Sequence, residues 1–206
     1  MKNLIYSYLY YFLHPKLSHQ SLGLYPTAES VGYKPSELSW SEVILLSWIC
    51  YFFVGFYDLA GINFGSSFFM PEKLSEFWLM KKTGSLLVLK IVLTVVFYPL
   101  VTYFGLVVNR WFMQTMLRLL GYGRAEQEQV NSILAVSLSS HLLLLIPAFG
   151  QGLQGLYATL SQVLGARHQL NLGWGESIFV GLASVIFLLF FILIVFLGIF
   201  SVALLV

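Results

Sequence analysis

The sequence predicts an all-α membrane protein, a five-helix transmembrane bundle preceded by an N-terminal interfacial helix. Three observations carry this expectation. The last thirty residues, Ser177–Val206, hold no charge. As one helix they rise about 45 Å, against a bilayer hydrocarbon core of about 30 Å. Charged residues are only 10% of the 206 and apolar residues 58%, with mean hydropathy +0.82. A soluble domain carries about 25% charged residues. Four of the 5 tryptophans, Trp40, Trp78, Trp111 and Trp174, stand at the ends of apolar runs, as in a membrane aromatic belt.

The same composition excludes other classes. A net charge of +2, without a run of Lys or Arg, gives nothing that could track phosphates, so no nucleic-acid partner is expected. The single cysteine, Cys50, cannot form an internal disulfide. No Gly-rich phosphate loop, metal-ligand cluster or nucleophile elbow is present. No catalysis and no cofactor are therefore expected.

Residues 1–41 read as an interfacial helix and a connector, and residues 42–206 as the membrane domain. Lys2 precedes an apolar stretch, Leu4–Leu13. Tyr6, Tyr8, Tyr10 and Tyr11 interrupt that stretch, and no small-residue cleavage site follows His14-Pro15-Lys16, so it is not a signal peptide. Tyr rings favour the interface, which predicts a helix lying flat there. Ser18–Ser41, with Pro26, Pro35, Gly23 and Gly32, reads as a loop.

The first span covers about 42–64, with Asp58 as its one acid. The second, about 83–108, contains Lys90 and a proline, Pro99, expected to kink it. Asn109–Gln129 reads as a separate amphipathic piece, basic at Arg110, Arg118 and Arg124 and broken at Gly121-Tyr122-Gly123. The third span, about 130–147, contains Ser137, Ser139, Ser140 and His141. The fourth, about 149–166, is charge-free but holds Gln151, Gln154, Ser161 and Gln162. The turn at Pro147–Gly150 is so short that the third and fourth spans form an antiparallel hairpin. The fifth span is 177–206. No internal repeat supports a two-half transporter.

With five spans, Lys2, Lys16, Lys34, Arg110, Arg118, Arg124 and Arg167 share one side; Lys73, Lys81 and Lys82 share the other. The positive-inside rule then places the N-terminus in the cytoplasm and the C-terminus outside.

A pre-helix with a proline, five spans, the basic turn Arg118-Leu-Leu-Gly121-Tyr-Gly123-Arg, the hairpin Ile146-Pro147-Ala148-Phe149-Gly150, and Val163-Leu-Gly165-Ala-Arg167-His168 before a long last span make a recognisable layout. It resembles the Yip family, membrane proteins first named for interaction with Ypt/Rab GTPases. The likeness covers most of residues 10–200. It is nearest to the bacterial branch, since the long cytosolic head of eukaryotic members is absent. The resemblance implies a five-helix, cytoplasm-in protein of the bacterial inner membrane that acts without catalysis, on partners or on bilayer organisation. It does not carry over Rab binding.

Asp58 and Lys90 fall at similar depth on antiparallel spans. Pairing lowers the cost of burying either, which is about 2.5–3.5 kcal/mol at mid-membrane. The pair is either structural or part of an ion path, or Lys90 snorkels outward. Ser137 and His141 are one α-helical turn apart and share a face; they join helices or relay protons. His14 and His19 give only a weak metal signal. Gly173, Ser177, Gly181 and Ser184 form a small-residue stripe for close helix packing. The Tyr-rich pre-helix and Asn109–Arg124 are expected to lie on one leaflet as a surface for anionic lipids or another membrane protein. The competing function is a small transport subunit using Asp58, Lys90, His141 and the glutamines.

Overall fold

The computed structural model of the chain describes residues 2–22, 37–69, 78–122, 127–147 and 149–203. The protein is all-helical, and no strand occurs among the described residues. Helices α1 (Lys2–Leu13) and α2 (Pro15–Leu22) come first, then the long α3 (Trp40–Phe69) and α4 (Trp78–Leu119). Helix α5 (Gln127–Ser137) tightens into a 3₁₀ segment, Leu138–Leu145, and α6 (Gly150–Gln169) returns beside it. Helices α7 (Trp174–Gly181) and α8 (Ala183–Ala203) end the chain, with a 57° bend between them.

Among the described residues, two helices are long and apolar enough to cross a membrane by themselves, over Trp40–Tyr57 and Val88–Leu119. The bent pair Trp174–Gly181 and Ala183–Leu197 makes a third if it acts as one span. By length and apolarity two to three helices among the described residues could cross a membrane, fewer than the five expected.

Local chemistry sets the helix ends. Ser39 and Glu42 form a capping box on α3. The Ser39 N–H donates to Glu42 Oε2 at 2.8 Å, and the Glu42 N–H approaches Ser39 Oγ at 3.4 Å. Gly121, at φ +82°, closes α4. The Tyr122 N–H returns to the Leu117 carbonyl and the Gly121 N–H to the Arg118 carbonyl, a Schellman motif. Pro15 occupies the first position of α2, where a missing N–H costs nothing.

Helix α5 is the centre of the core. Val130, Ile133, Leu134 and Val136 are fully buried. Tyr8 and Tyr11 of α1, Val43 and Ile44 of α3, Met113 and Leu117 of α4, Ala166 of α6 and Val180 of α7 complete the cluster. Pairing of α3 with α4 is antiparallel. Tyr51 stacks on Tyr98 at 4.3 Å, and a Cβ on Gly55 would fall 2.8 Å from Val95 Cγ2.

Helix α4 continues through Pro99. Proline has no N–H, so the Val95 carbonyl four residues earlier loses its helical donor. The Trp48 indole of α3 supplies one at 2.8 Å. In apolar surroundings that carbonyl would otherwise cost several kcal/mol.

Several sequence expectations need correction. The Tyr-rich helix does not lie free at a surface, because Tyr8 and Tyr11 are 2% and 1% exposed within the core. Asn109–Gln129 is not a separate amphipathic piece. No breaker interrupts the chain between Val108 and Leu119, so α4 runs straight on to Leu119. Residues Ser18–Leu22 of the expected connector belong to α2, started by Pro15. The last apolar run is bent near Leu182, where α7 leaves the bundle core and α8 begins.

The Val95 arrangement is testable by a double-mutant cycle. Trp48→Phe is expected to cost about 1–3 kcal/mol, the penalty of an orphaned buried acceptor. In a Pro99→Ala background, where residue 99 again donates, the loss should shrink by at least half. Equal losses in both backgrounds, by chemical denaturation in detergent, would show that the indole does not serve that carbonyl.

Candidate functional site

The polar interior lies where α1, α3, the 3₁₀ segment and α6 meet. Its focus is one backbone atom, the Leu138 carbonyl oxygen. Tyr8 Oη donates to it at 3.0 Å, Ser47 Oγ approaches at 3.4 Å, and His141 Nδ1 lies at 2.8 Å. Tyr8 and Ser47 also bond each other at 2.9 Å. A carbonyl only accepts, so His141 Nδ1 carries the proton. His141 Nε2 is then the acceptor, and the Gln154 amide of α6 faces it at 3.2 Å. The edge of His141 meets the Tyr98 ring, centroids 5.9 Å apart.

The 3₁₀ geometry has local causes. Ser137 Oγ donates to the Leu134 carbonyl, Ser139 Oγ to Val136, and His141 to Leu138. Each reaches back three residues and draws a carbonyl away from the α-helical ladder. The expected common face of Ser137 and His141 is accordingly lost. At three residues per turn, positions four apart no longer align, and each side chain bonds the carbonyl three residues before it.

A second polar cluster fastens α2 to α6. His19 is fully buried. The Gln169 amide nitrogen faces its Nδ1 at 2.8 Å, and Ser161 Oγ lies 3.1 Å from its Nε2. An amide nitrogen only donates, so Nδ1 accepts and Nε2–H donates to Ser161. Burial, with His168 nearby, lowers the His19 pKa from 6.5 to about 3. Tyr157 of α6 also donates to the Phe12 carbonyl of α1. Sequence reasoning gave His19 no role beyond a weak metal pairing with His14. The legible signal was Pro15 opening a helix that places His19 on it. Among the described residues, no group of three or more His, Cys, Asp or Glu could hold a metal ion.

The small-residue stripe is spent inside the chain. Gly173 gives its N–H to Glu176 and its carbonyl to Ser177 Oγ, starting α7. A Cβ on Gly181 would lie 2.8 Å from the Val163 backbone nitrogen, so α7 and α6 touch there. Ser184 bonds Asn109 of α4. Tyr122 Oη donates to Glu176 Oε2 at 2.7 Å, and the Gly173 N–H donates to the same oxygen at 2.8 Å.

The three arginines part company. Arg110 lies over the Trp40 ring at 5.3 Å. Arg118 is exposed at the end of α4, and Arg124 lies outside the described residues. Helices α1 and α4 do not approach each other closely along their backbones among the described residues, although Tyr8, Tyr11, Met113 and Leu117 share one core cluster. Lys90 is exposed. The α3–α4 register brings residue 58 level with residue 90, while the Asp58 side chain lies outside the described part. Beside Trp40, a cavity of about 370 Å³ is lined by Glu37, Glu128 and Asn131.

Compared with protein-family models, with curated proteins and with solved structures, the chain matches none of them.

The His19 cluster predicts a pH dependence. A base with its pKa depressed in the fold stabilises fully above its unfolded value, near 6.5, and that stability is lost as pH falls toward about 3. Between pH 6 and 4, wild type should lose roughly 1 kcal/mol more per pH unit than His19→Gln. Parallel pH profiles of the two proteins would refute the assignment.

Proposed function

We propose that the chain is a five-span integral membrane protein of the Yip type, with its N-terminus in the cytoplasm, that works without catalysis by holding partner proteins or shaping the bilayer. Two further elements support the five-span reading. Helix α5 with the 3₁₀ segment rises about 32 Å and α6 about 30 Å, each matching the hydrocarbon core. Helix α6 exposes Leu153, Leu156 and Leu160 and turns Ser161, Gln162 and Gln169 inward. That is the polarity of a helix with lipid on one side and a bundle on the other. The seven-to-three excess of Lys and Arg supports the orientation. The likeness to the Yip family rests on layout alone.

The observation that carries the non-transport reading is the convergence on Leu138. Tyr8 and His141 both donate into one carbonyl, which has no proton to pass on. A proton relay through His141 ends there, whereas a structural clamp is what such convergence makes. Membrane helices commonly use polar side chains in this way. A permeation subunit is the second reading, favoured by the His141–Gln154 contact. Arg118 and the exposed face of α1, Ile5, Tyr6, Leu9 and Leu13, are available to lipid headgroups or to a membrane partner.

A reporter fused after Val206 should read as external and one at Gly123 as cytoplasmic. Purified protein in liposomes should pass no more protons or ions than empty vesicles. Arg118→Glu should leave stability within about 0.5 kcal/mol and abolish co-purification of a partner or the preference for anionic lipid. Arg110→Glu should lower stability through Trp40. Flux above background would favour the permeation subunit, and an internal C-terminus would overturn five spans.

A further inference from the structure

We propose that the segment Leu138–Leu145 is a two-state element, held overwound by the N-terminal helix and able to relax to an α-helix when α1 lets go. This inference does not depend on the functional reading above.

The segment is unusual in length. It has eight residues in 3₁₀ form, where runs beyond three or four are uncommon because the hydrogen bonds are poorly aligned. Something must therefore hold it. The side chains of Ser137, Ser139 and His141 favour the tighter winding locally, and they belong to the segment in either state. The external hold comes from Tyr8 of α1 and Ser47 of α3, both directed at the Leu138 carbonyl. That carbonyl is the one an α-helix would bond to the N–H of Leu142. In the observed form it takes the N–H of His141 instead, and Tyr8 and Ser47 fill the acceptor capacity that remains.

The overwound state also leaves a polar group without a partner. Ser140 Oγ is buried and unbonded. In an α-helix a serine hydroxyl reaches the carbonyl four residues back, which for Ser140 is Val136. The exit of the segment is fitted to the overwound form. A Cβ on Gly150 would lie 3.0 Å from the Leu143 carbonyl carbon and from Leu144 Cα, and closer still to the Leu143 oxygen. Only glycine allows that approach.

The two forms differ in size. Rise per residue is about 2.0 Å in a 3₁₀ helix and 1.5 Å in an α-helix, so eight residues shorten by about 4 Å on relaxing. The twist changes by about 20° per residue, which re-aims His141 and the Ile146–Phe149 turn. The device couples α1, at the start of the 3₁₀ segment, to the turn at its other end. A binder that draws α1 out of the core would be felt there.

Spin labels at Glu128→Cys and Leu145→Cys, in a Cys50→Ala background, report the length of this stretch by pulsed dipolar spectroscopy in nanodiscs. Both positions are exposed. The otherwise unaltered protein should give one long distance. Tyr8→Phe should transfer population to a distance about 4 Å shorter, and Ser47→Ala should do so more weakly. The long distance retained unchanged in both variants overturns the proposal. If Tyr8→Phe fails to fold, Ser47→Ala alone decides, and an unchanged distribution there overturns it equally.

Discussion

A backbone carbonyl that loses its helical donor inside an apolar protein must find another donor or cost several kcal/mol. Among the described residues the Val95 carbonyl faces that requirement and the Leu138 carbonyl gathers several donors at once, and much of the fold is arranged around the two. Pro99 orphans Val95, and the Trp48 indole answers it. In the 3₁₀ segment the Leu138 carbonyl takes the N–H three residues on, and Tyr8, Ser47 and the His141 ring converge on the same oxygen. Ser47 and Trp48 are sequence neighbours on α3 and point about 100° apart. One turn of α3 thus fastens both α4 and the 3₁₀ segment.

This accounts for the place of the N-terminal helix. Leu4, Tyr8 and Tyr11 recur at helical spacing and bury against α5, which alone would bring α1 to the bundle. The Tyr8 hydroxyl makes the contact specific, since it reaches a carbonyl 130 residues away. The His19 cluster and the Tyr157–Phe12 bond then tie α1 and α2 to α6. The two N-terminal helices are a structural part of the core rather than a separate anchor.

Among the described residues the buried polar side chains are uncharged. Both buried histidines are engaged at both ring nitrogens in arrangements that suit the neutral ring. His19 joins α2 to α6, and His141 joins the 3₁₀ segment to α6. The charges sit on the outside, at Lys90, Arg118 and the Glu37–Glu128 cavity, where headgroups or a partner's polar rim would meet them.

Composition and hydrophobic runs by themselves determined that the chain is helical and apolar enough for a membrane, and where its apolar stretches lie. Trp40, Trp78 and Trp174 each turn out to open a helix, because an amphipathic ring and a helix start share the same polar boundary. The Ser39–Glu42 box and Pro15 were equally legible, being local. Tertiary structure decided the rest. That Tyr8 is core and not belt depends on a carbonyl far along the chain. That Ser137 and His141 part faces depends on a change of winding which Ser-Leu-Ser-Ser-His permits but does not require. That the stripe from Gly173 to Ser184 serves α6 and α4 depends on which helices come to lie beside it. A periodic pattern says that a face is buried; which partner buries it is settled only when distant segments compete for the same orphaned hydrogen-bonding groups.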